Sequence, residues 1–257
     1  MKKKHMCDLF KGNFYKEKPW FLPERFIKKS NIRLDTVIVV FSEKLIEYLL
    51  TSKKIENLPE DIQAMAGKFP IYKVKGKNTG VFLSHPGASY TVMSLEELCH
   101  CYSTKKIIAF GSCGLLKQFQ NKQIIVPKKA YKFEGVSKFY DSSKKEYIDV
   151  KGAEKICNFL KAKKINFVEV NVATTDALYR ETKSFFDYCK SHKIDAVDME
   201  VSGIQSFCNF KKIKYYPFFY SADLIDEKSY EVNDLYNPEL EKVRKSFEIA
   251  ILISEEF

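Results

Sequence analysis

One stretch decides the fold: Ile107-Ile108-Ala109-Phe110-Gly111-Ser112-Cys113-Gly114-Leu115-Leu116. Its four leading apolar residues are typical of a strand that is covered on both faces. Gly111 and Gly114 permit backbone conformations that other residues avoid, and they let a ligand approach the main chain. Ser112 follows the carboxyl end of the strand, where open α/β sheets bind ligands. A plain structural turn explains this stretch equally well, so other segments have to decide between the two interpretations.

The composition indicates a folded α/β protein with a full hydrophobic core. The chain has 257 residues, of which 45% are hydrophobic, enough for one large domain or two small ones. Its net charge of +10 comes from lysines scattered in pairs rather than from a basic stripe with interleaved aromatics, which favours a solvated surface over nucleic-acid binding. No apolar run has the length of a membrane span or a signal peptide, so we expect no membrane partner and a cytoplasmic location.

Cysteine and histidine usage argues against disulfides and metal sites. The seven cysteines are odd in number and form no CxxC pair, which is typical of free thiols in a reducing compartment. The four histidines are far apart and form no metal-binding pair. We therefore expect no metal.

Apolar segments of strand length alternate with amphipathic helices from residue 36 onward. This alternation predicts a single-domain, three-layer α/β/α fold over residues 36–257, with a central mixed, mostly parallel twisted sheet. Residues 1–35 are polar and aromatic, and we predict an N-terminal arm there. We also predict a short helix over residues 60–68, a hairpin over residues 71–84, two strands on either side of Pro127 and a helix over residues 181–192.

Polar side chains follow four of the predicted strands, in the segments Gly111-Ser112, Thr174-Thr175-Asp176, Asp198-Met199-Glu200 and Ala222-Asp223. A carboxylate at such a place must be solvated, paired or used on a ligand, because an unpaired buried charge is costly. Glu200 is the sharpest case, since apolar residues precede and follow it. Such a carboxylate suits two adjacent hydroxyls, as on a ribose, although a salt bridge inside the fold is the alternative.

A second glycine turn, His85-Pro86-Gly87-Ala88-Ser89, leads into a predicted helix over residues 90–102. A glycine turn at a helix N-terminus points backbone N–H groups at whatever lies in front of it, which makes a natural anion site. A simple helix cap explains the same residues, and the two interpretations stay open.

The order and spacing of these segments resemble the nucleoside phosphorylase superfamily, which includes uridine phosphorylase, hexameric purine nucleoside phosphorylase and methylthioadenosine nucleosidase. The resemblance covers roughly residues 36–226. The turn at residues 111–114 resembles the family's phosphate site, and residues 197–204 resemble its ribose-binding segment. Residues 174–180 resemble the segment that lines the nucleobase pocket. Ser221-Ala222-Asp223 resembles the late loop whose aspartate protonates the purine.

The resemblance implies a pentosyltransferase that cleaves a ribonucleoside, with purine favoured, using inorganic phosphate as co-substrate and no cofactor. It implies assembly as a homodimer or a trimer of dimers, and small-molecule partners only. The implied roles are a catalytic acid at Asp223, ribose binding by Glu200 and Met199, a nucleobase pocket at Thr175, Asp176, Tyr179 and Arg180, and phosphate binding at Ser112, Gly111, Gly87 and Lys68.

Two arginines that clamp phosphate in this family have no counterpart here. The family's Gly-Asp-Pro-x-Arg turn is replaced by Phe41-Ser42-Glu43-Lys44-Leu45, and the arginine two residues before the Gly-Ser turn is replaced by Ala109. The candidates for supplying positive charge are Lys44, Lys68, Arg25 and Arg180, although a lysine lacks the bidentate fork of arginine.

Three alternatives therefore remain. The first is a phosphorylase, of the purine type or of the uridine type. The second is a hydrolytic nucleosidase, in which Glu43 or Glu47 is the candidate for activating water. The third is a nucleoside-binding protein that keeps the fold without turnover.

Overall fold

The structure is a computed structural model that describes residues 17–59, 62–65, 67–119, 124–220, 224–225, 230–231 and 239–257. Its helices are α1 (Glu43–Thr51), α2 (Ala88–Tyr102), α3 (Ser137–Tyr140), α4 (Ala153–Ala162), α5 (Lys183–Ser191), α6 (Val201–Lys211) and α7 (Leu240–Glu256). Its strands are β1 (Thr36–Val40), β2 (Ile55–Asn57), β3 (Ile62–Ala64), β4 (Gly67–Phe69), β5 (Ile71–Val74), β6 (Thr79–Leu83), β7 (Lys106–Gly111), β8 (Gly114–Leu115), β9 (Ile124–Phe133), β10 (Tyr147–Asp149), β11 (Phe167–Thr175), β12 (Ala196–Asp198), β13 (Lys214–Phe219), β14 (Leu224–Ile225) and β15 (Tyr230–Glu231).

One mixed sheet organises the described residues. Its order is β15-β14-β8-β12-β11-β9-β13-β7-β1-β6-β5-β2, with β10 beside β9. The strands β13, β7, β1 and β6 form one parallel run, and β9, β11 and β12 form another. The two runs meet in an antiparallel contact between β13 and β9. The predicted α/β fold with a mixed, mostly parallel central sheet is confirmed.

The central strands are apolar because helices and loops cover both of their faces. All five residues of β1 are buried, as are all residues of β7 after Lys106. Parallel pairing aligns the strands so that Thr36 lies beside Lys106 and Phe219 beside Gly111. The carboxyl ends of β1, β7 and β13 therefore share one edge of the sheet, and β12 ends near them.

Two of the local predictions are corrected by the structure. The described part of residues 60–68 is not a helix: β3 and β4 pair as an antiparallel hairpin. Gly67, with a φ of 100°, interrupts any helical run, and so short a segment carries no decisive apolar period. The two strands predicted around Pro127 are one strand, β9. The register of β11 shifts opposite Pro127, and such an irregularity accommodates the missing N–H of proline.

The segment before β1 packs against α2. Ile27 and Leu34 are buried in the same hydrophobic cluster as the sheet, and the N–H of Ser30 donates to the carbonyl of Cys101 at 3.0 Å. The six cysteines in the part of the chain that the structure describes are free thiols. Within that part, no helix combines the length and apolarity needed to cross a bilayer.

Candidate active site

A cavity of about 510 Å³ opens at the carboxyl ends of β1, β7, β12 and β13. This volume falls within the range of small-molecule sites, roughly 300–1,000 Å³. The residues that line it are Phe41, Ser42, Glu43, Lys44, Pro86, Ala109, Phe110, Gly111, Ser112, Cys113, Gly114, Leu178, Tyr179, Glu181, Val197, Asp198, Met199, Glu200, Val201, Tyr215, Pro217, Phe219 and Tyr220.

Asp198 fixes the turn between β12 and α6. Its Oδ1 accepts a hydrogen bond from Oγ1 of Thr174 at 2.7 Å. Its Oδ2 accepts from the backbone N–H groups of Glu200 at 2.8 Å and Val201 at 2.6 Å, which are the free donors at the start of α6. Burial raises the pKa of Asp198 to about 6, although these hydrogen bonds favour the ionised form. The side chain thus holds the segment that carries Met199 and Glu200.

Glu200 presents its carboxyl to the cavity from the N-cap position immediately before α6. Its Oε1 accepts a hydrogen bond from the N–H of Gly87 at 2.6 Å. Burial, together with the nearby charge of Asp198, raises the pKa of Glu200 to about 8, although hydrogen bonds from the backbone N–H groups of Gly87 and Met199 favour the ionised form. The carboxyl is therefore largely protonated at neutral pH, so it offers an O–H donor as well as an acceptor.

The N–H of Gly87 is thus occupied by a carboxyl of the chain itself. Gly87 has a φ of 112° and stands immediately before α2, so its conformation requires glycine. A second glycine brings α6 close to this turn, since a Cβ on Gly203 would lie 2.8 Å from the Cβ of Ala88. The starts of α2 and α6 therefore converge on Glu200.

The turn at residues 111–114 forms another part of the cavity wall. A Cβ on Gly111 would lie 3.2 Å from the ring of Phe41, so a glycine keeps this wall close to the end of β1. Gly114 pairs with Val197 of β12, which ties the turn to the strand that carries Asp198. Ser112 lines the cavity. Burial raises the pKa of the Cys113 thiol well above its ordinary value, which disfavours a thiolate nucleophile.

The structure brings together five of the residues that the resemblance assigns to the site, along with the alternative candidates Glu43 and Lys44. Gly111, Ser112, Tyr179, Met199 and Glu200 all line the cavity. Gly87 does not line the cavity. It follows the lining residue Pro86, and its N–H donates a hydrogen bond to the lining residue Glu200.

The other nominated residues lie elsewhere or outside the description. Oγ1 of Thr175 accepts from the N–H of Ala177 at 3.1 Å, and Oδ2 of Asp176 accepts from the N–H of Gly135 at 2.9 Å. Arg180 is exposed and is absent from the cavity lining. Asp223 and the Lys68 side chain lie outside the described residues.

Glu181 is a cavity residue that the sequence did not reveal. It follows the short 3₁₀ helix Leu178–Arg180 and lines the cavity. Its Oε1 is buried with no hydrogen-bond partner, and burial raises its pKa to about 7. The sequence pattern assigned Glu181 to a helix over residues 181–192, but α5 begins at Lys183. A single carboxylate after a polar loop gives no signal that could separate it from a surface residue.

The charges on the described lining are mostly acidic. Four carboxyl side chains line the cavity, from Glu43, Glu181, Asp198 and Glu200, against one ammonium group from Lys44. No arginine occurs among the described lining residues. Among the described residues, no group of three or more His, Cys, Asp or Glu side chains is arranged to hold a metal ion.

Comparisons with known proteins agree with this architecture. The DeoD-type purine nucleoside phosphorylase of Buchnera aphidicola subsp. Schizaphis graminum is 29% identical over 134 residues, which are 51% of this chain and 56% of that enzyme. The match thus spans little more than half the length of this relative.

Solved structures share the fold at low identity. Purine nucleoside phosphorylase from Toxoplasma gondii in complex with immucillin-H has a TM-score of 0.67 and 18% identity, over 88% of this chain and 94% of that one. AMP nucleosidase from Bacteroides thetaiotaomicron has a TM-score of 0.64 and 15% identity, over 87% and 90%. A family model described as the phosphorylase superfamily matches residues 35–251. Because this match spans most of the chain, the protein belongs to the phosphorylase superfamily.

Proposed function

We propose that this protein cleaves the N-glycosidic bond of a nucleoside, and that Glu200 and Met199 bind its ribose. The observation that carries the proposal is the cavity-facing carboxyl of Glu200, which Asp198 and Gly87 hold in place. A protonated carboxyl offers one donor and one acceptor side by side, which complements two adjacent hydroxyls. The neighbouring thioether of Met199 supplies an apolar surface beside the sugar.

The leaving base needs a proton donor. Breaking the ribosyl C–N bond develops negative charge on the base, and a positioned acid typically contributes about 10²–10⁴-fold to the rate. We assign this role to Asp223. Tyr220, which stands three residues earlier in the sequence, lines the cavity and supports the assignment. We assign Tyr179, which lines the cavity, to the nucleobase pocket. Thr175, Asp176 and Arg180 are near it in the sequence and belong to the same proposed pocket.

The acceptor that we propose is inorganic phosphate, and the base a purine. Ser112 and the backbone of Gly111 offer hydrogen-bond donors on one wall, and Lys44 adds a positive charge to the lining. The name of the curated relative, a purine nucleoside phosphorylase, supports both choices. Lys68 remains part of this phosphate-site proposal, whereas Gly87, whose N–H donates to Glu200, contributes only by shaping the turn before α2.

Water is the second candidate acceptor, and one observation favours it. The described lining carries four carboxyl groups and lacks a guanidinium, so it offers a phosphate dianion less stabilisation than a pair of bidentate arginines would. Glu43, the first residue of α1, lines the cavity, and its carboxylate is suited to accept a proton from water.

One assay separates these functions. Inosine, guanosine, adenosine and uridine are each incubated with the protein, with and without phosphate, while free base and ribose 1-phosphate are quantified by chromatography. We expect purine release that requires phosphate and yields ribose 1-phosphate. Equal release without phosphate would establish hydrolysis instead. Nucleoside binding without any release would identify a binding protein and reject the enzymatic proposal.

A further inference from the structure

The Glu181 carboxyl lacks the hydrogen bonds that the other two buried carboxyls of the cavity receive. Asp198 accepts from one side chain and two backbone groups. Glu181 lines the same cavity, yet its buried Oε1 has no partner. Buried polar atoms nearly always find a hydrogen-bond partner, and one that does not requires an explanation. The described fold contains no donor for Glu181, so a ligand in the cavity is the natural source of one.

The surroundings of Glu181 suit a flat ring. Leu178 and Tyr179 belong to the same short segment and also line the cavity. Leu178 is half-buried and aliphatic, and the ring of Tyr179 is 86% exposed, so it is available to stack on a ligand. The ribose contacts proposed above come from a different element, the junction of β12 and α6. The cavity therefore offers a sugar side at Met199 and Glu200 and, on another element, an apolar wall that ends in a carboxyl.

We propose that the Glu181 carboxyl binds the ring edge of the nucleobase and thereby decides which bases the cavity accepts. This inference rests on the proposed nucleoside-cleaving function and extends it to the choice of substrate. Glu181 is a specificity residue in this proposal, separate from the proton donor assigned to Asp223.

The two protonation states of a carboxyl select different ring edges. An ionised carboxylate only accepts hydrogen bonds, so it matches the ring N–H of an oxo-base such as hypoxanthine. A neutral carboxyl also donates, so it matches the unprotonated ring nitrogen of an amino-base such as adenine. Burial raises the pKa of Glu181 to about 7, so both states are populated near neutral pH. The preference for oxo-bases therefore rises as the pH rises.

Other titratable groups surround Glu181 and must be separated from it. On α5, the thiol of Cys189 has its pKa raised to about 12 by burial and by the charge of Glu181, so it stays protonated in this range. The remaining groups are Tyr179 and Arg180 on its own segment, Asp198 and Glu200 at the end of β12, and Glu43 and Lys44 at the start of α1. Inosine and adenosine carry the same ribose, so effects on the sugar cancel in the ratio of their rates.

The test is the ratio of kcat/KM for inosine to that for adenosine, measured between about pH 5.5 and 8.5, a window centred on the titration of the carboxyl. In the wild type we expect the ratio to rise roughly tenfold or more over this pH range. One hydrogen bond to a charged group changes a binding constant by about that factor. Glu181→Gln offers a donor and an acceptor at every pH, so its ratio should stay flat. Glu154→Gln removes an exposed glutamate from α4 and should follow the wild type.

A flat ratio in the wild type, or a rising one in Glu181→Gln, would overturn the inference. Thermal melting of Glu181→Gln checks that the variant is folded. If the wild type releases base from neither nucleoside, the proposed function fails, and calorimetric binding of free hypoxanthine and adenine then tests Glu181 alone. A preference for hypoxanthine that grows with pH and is absent in Glu181→Gln supports the inference. Equal affinities, or no binding of either base, reject it.

Discussion

Two walls of the cavity satisfy their carboxyl groups in different ways. At the junction of β12 and α6, Asp198 receives three hydrogen bonds, and Glu200 accepts from the backbone N–H groups of Gly87 and Met199. On the wall that follows the 3₁₀ helix Leu178–Arg180, the buried oxygen of Glu181 receives none. Backbone donors are fixed when the fold forms, so the first wall is organised before any ligand arrives. The second wall is completed only by what enters the cavity.

This difference separates a supporting carboxyl from those that face a ligand. Asp198 accepts from the first backbone N–H groups of α6, where the helix dipole also favours negative charge. Its side chain is 4% exposed, which leaves little of it for a substrate. Glu200 presents its carboxyl to the cavity, and Glu181 keeps one buried oxygen for which the described residues provide no donor. Substitution of the supporting carboxyl should therefore mainly affect stability, and substitution of the two ligand-facing carboxyls should mainly affect activity.

The largest expected effect is the loss of activity in Glu200→Ala. Removing the carboxyl eliminates two hydrogen bonds to the ribose, which lowers kcat/KM by about a hundredfold or more, while the far-ultraviolet circular dichroism spectrum stays unchanged. Glu200→Gln keeps a donor and an acceptor and should retain more activity. Wild-type turnover in Glu200→Ala would show that the ribose lies elsewhere.

The next effect is a loss of stability in Asp198→Ala. This variant leaves the first N–H groups of α6 and the Thr174 hydroxyl without their acceptor, which lowers the free energy of unfolding by about 2–4 kcal/mol. Urea denaturation measures the change. Asp176→Ala is the matched control, because the exposed Asp176 accepts a single backbone hydrogen bond, and it should cost less than about 1 kcal/mol. Equal losses in the two variants would contradict the supporting role of Asp198.

A further expected effect is a decline in stability as the pH rises. The pKa values of Glu200 and Glu181 are raised from 4.5 to about 8 and about 7 in the folded protein. Between these values and 4.5, the native state binds more protons than the unfolded state, so the free energy of unfolding falls with increasing pH. We expect a loss of several kcal/mol from pH 5 to pH 8 in the ligand-free protein, with the larger share from Glu200.

The variant Glu181→Gln provides the control for this prediction. It removes one of the two titrations, so its unfolding free energy should fall less steeply between pH 5 and pH 7, as chemical denaturation at each pH would measure. A wild-type stability that is constant or rises through this range would contradict the burial of the two carboxyls.

The sequence predicts the centre of the sheet well, for a physical reason. Strands such as β1 and β7 are covered on both faces, and their uninterrupted apolar residues distinguish them from the rest of the chain. The ends of the strands can be located as well. The sequence therefore predicts that Ser112, after β7, and Glu200, after β12, lie near the carboxyl edge of the sheet, and both line the cavity there. The helix predicted over residues 60–68 is wrong because so short a segment has no clear period in its apolar residues. Gly67 also adopts a positive φ that a helix does not allow.

Contacts between distant segments could not be derived from the sequence. The hydrogen bond between Gly87 and Glu200 joins residues 113 positions apart, and no local pattern encodes it. The position of Glu181 depends equally on where the 3₁₀ helix ends and where α5 begins. Element boundaries are the least predictable part of a sequence, and a shift of two residues moved Glu181 from a helix to the cavity wall.

The contact between Gly87 and Glu200 also gives the protein an internal reporter. A sugar that engages the Glu200 carboxyl changes the acceptor seen by the Gly87 amide, which has its own resonance in a nitrogen–proton spectrum. Gly203 lets the starts of the two helices approach closely, so this amide lies at the point where they meet. The chemical shift of one peptide group would then register whether the pocket is filled, without an added chromophore.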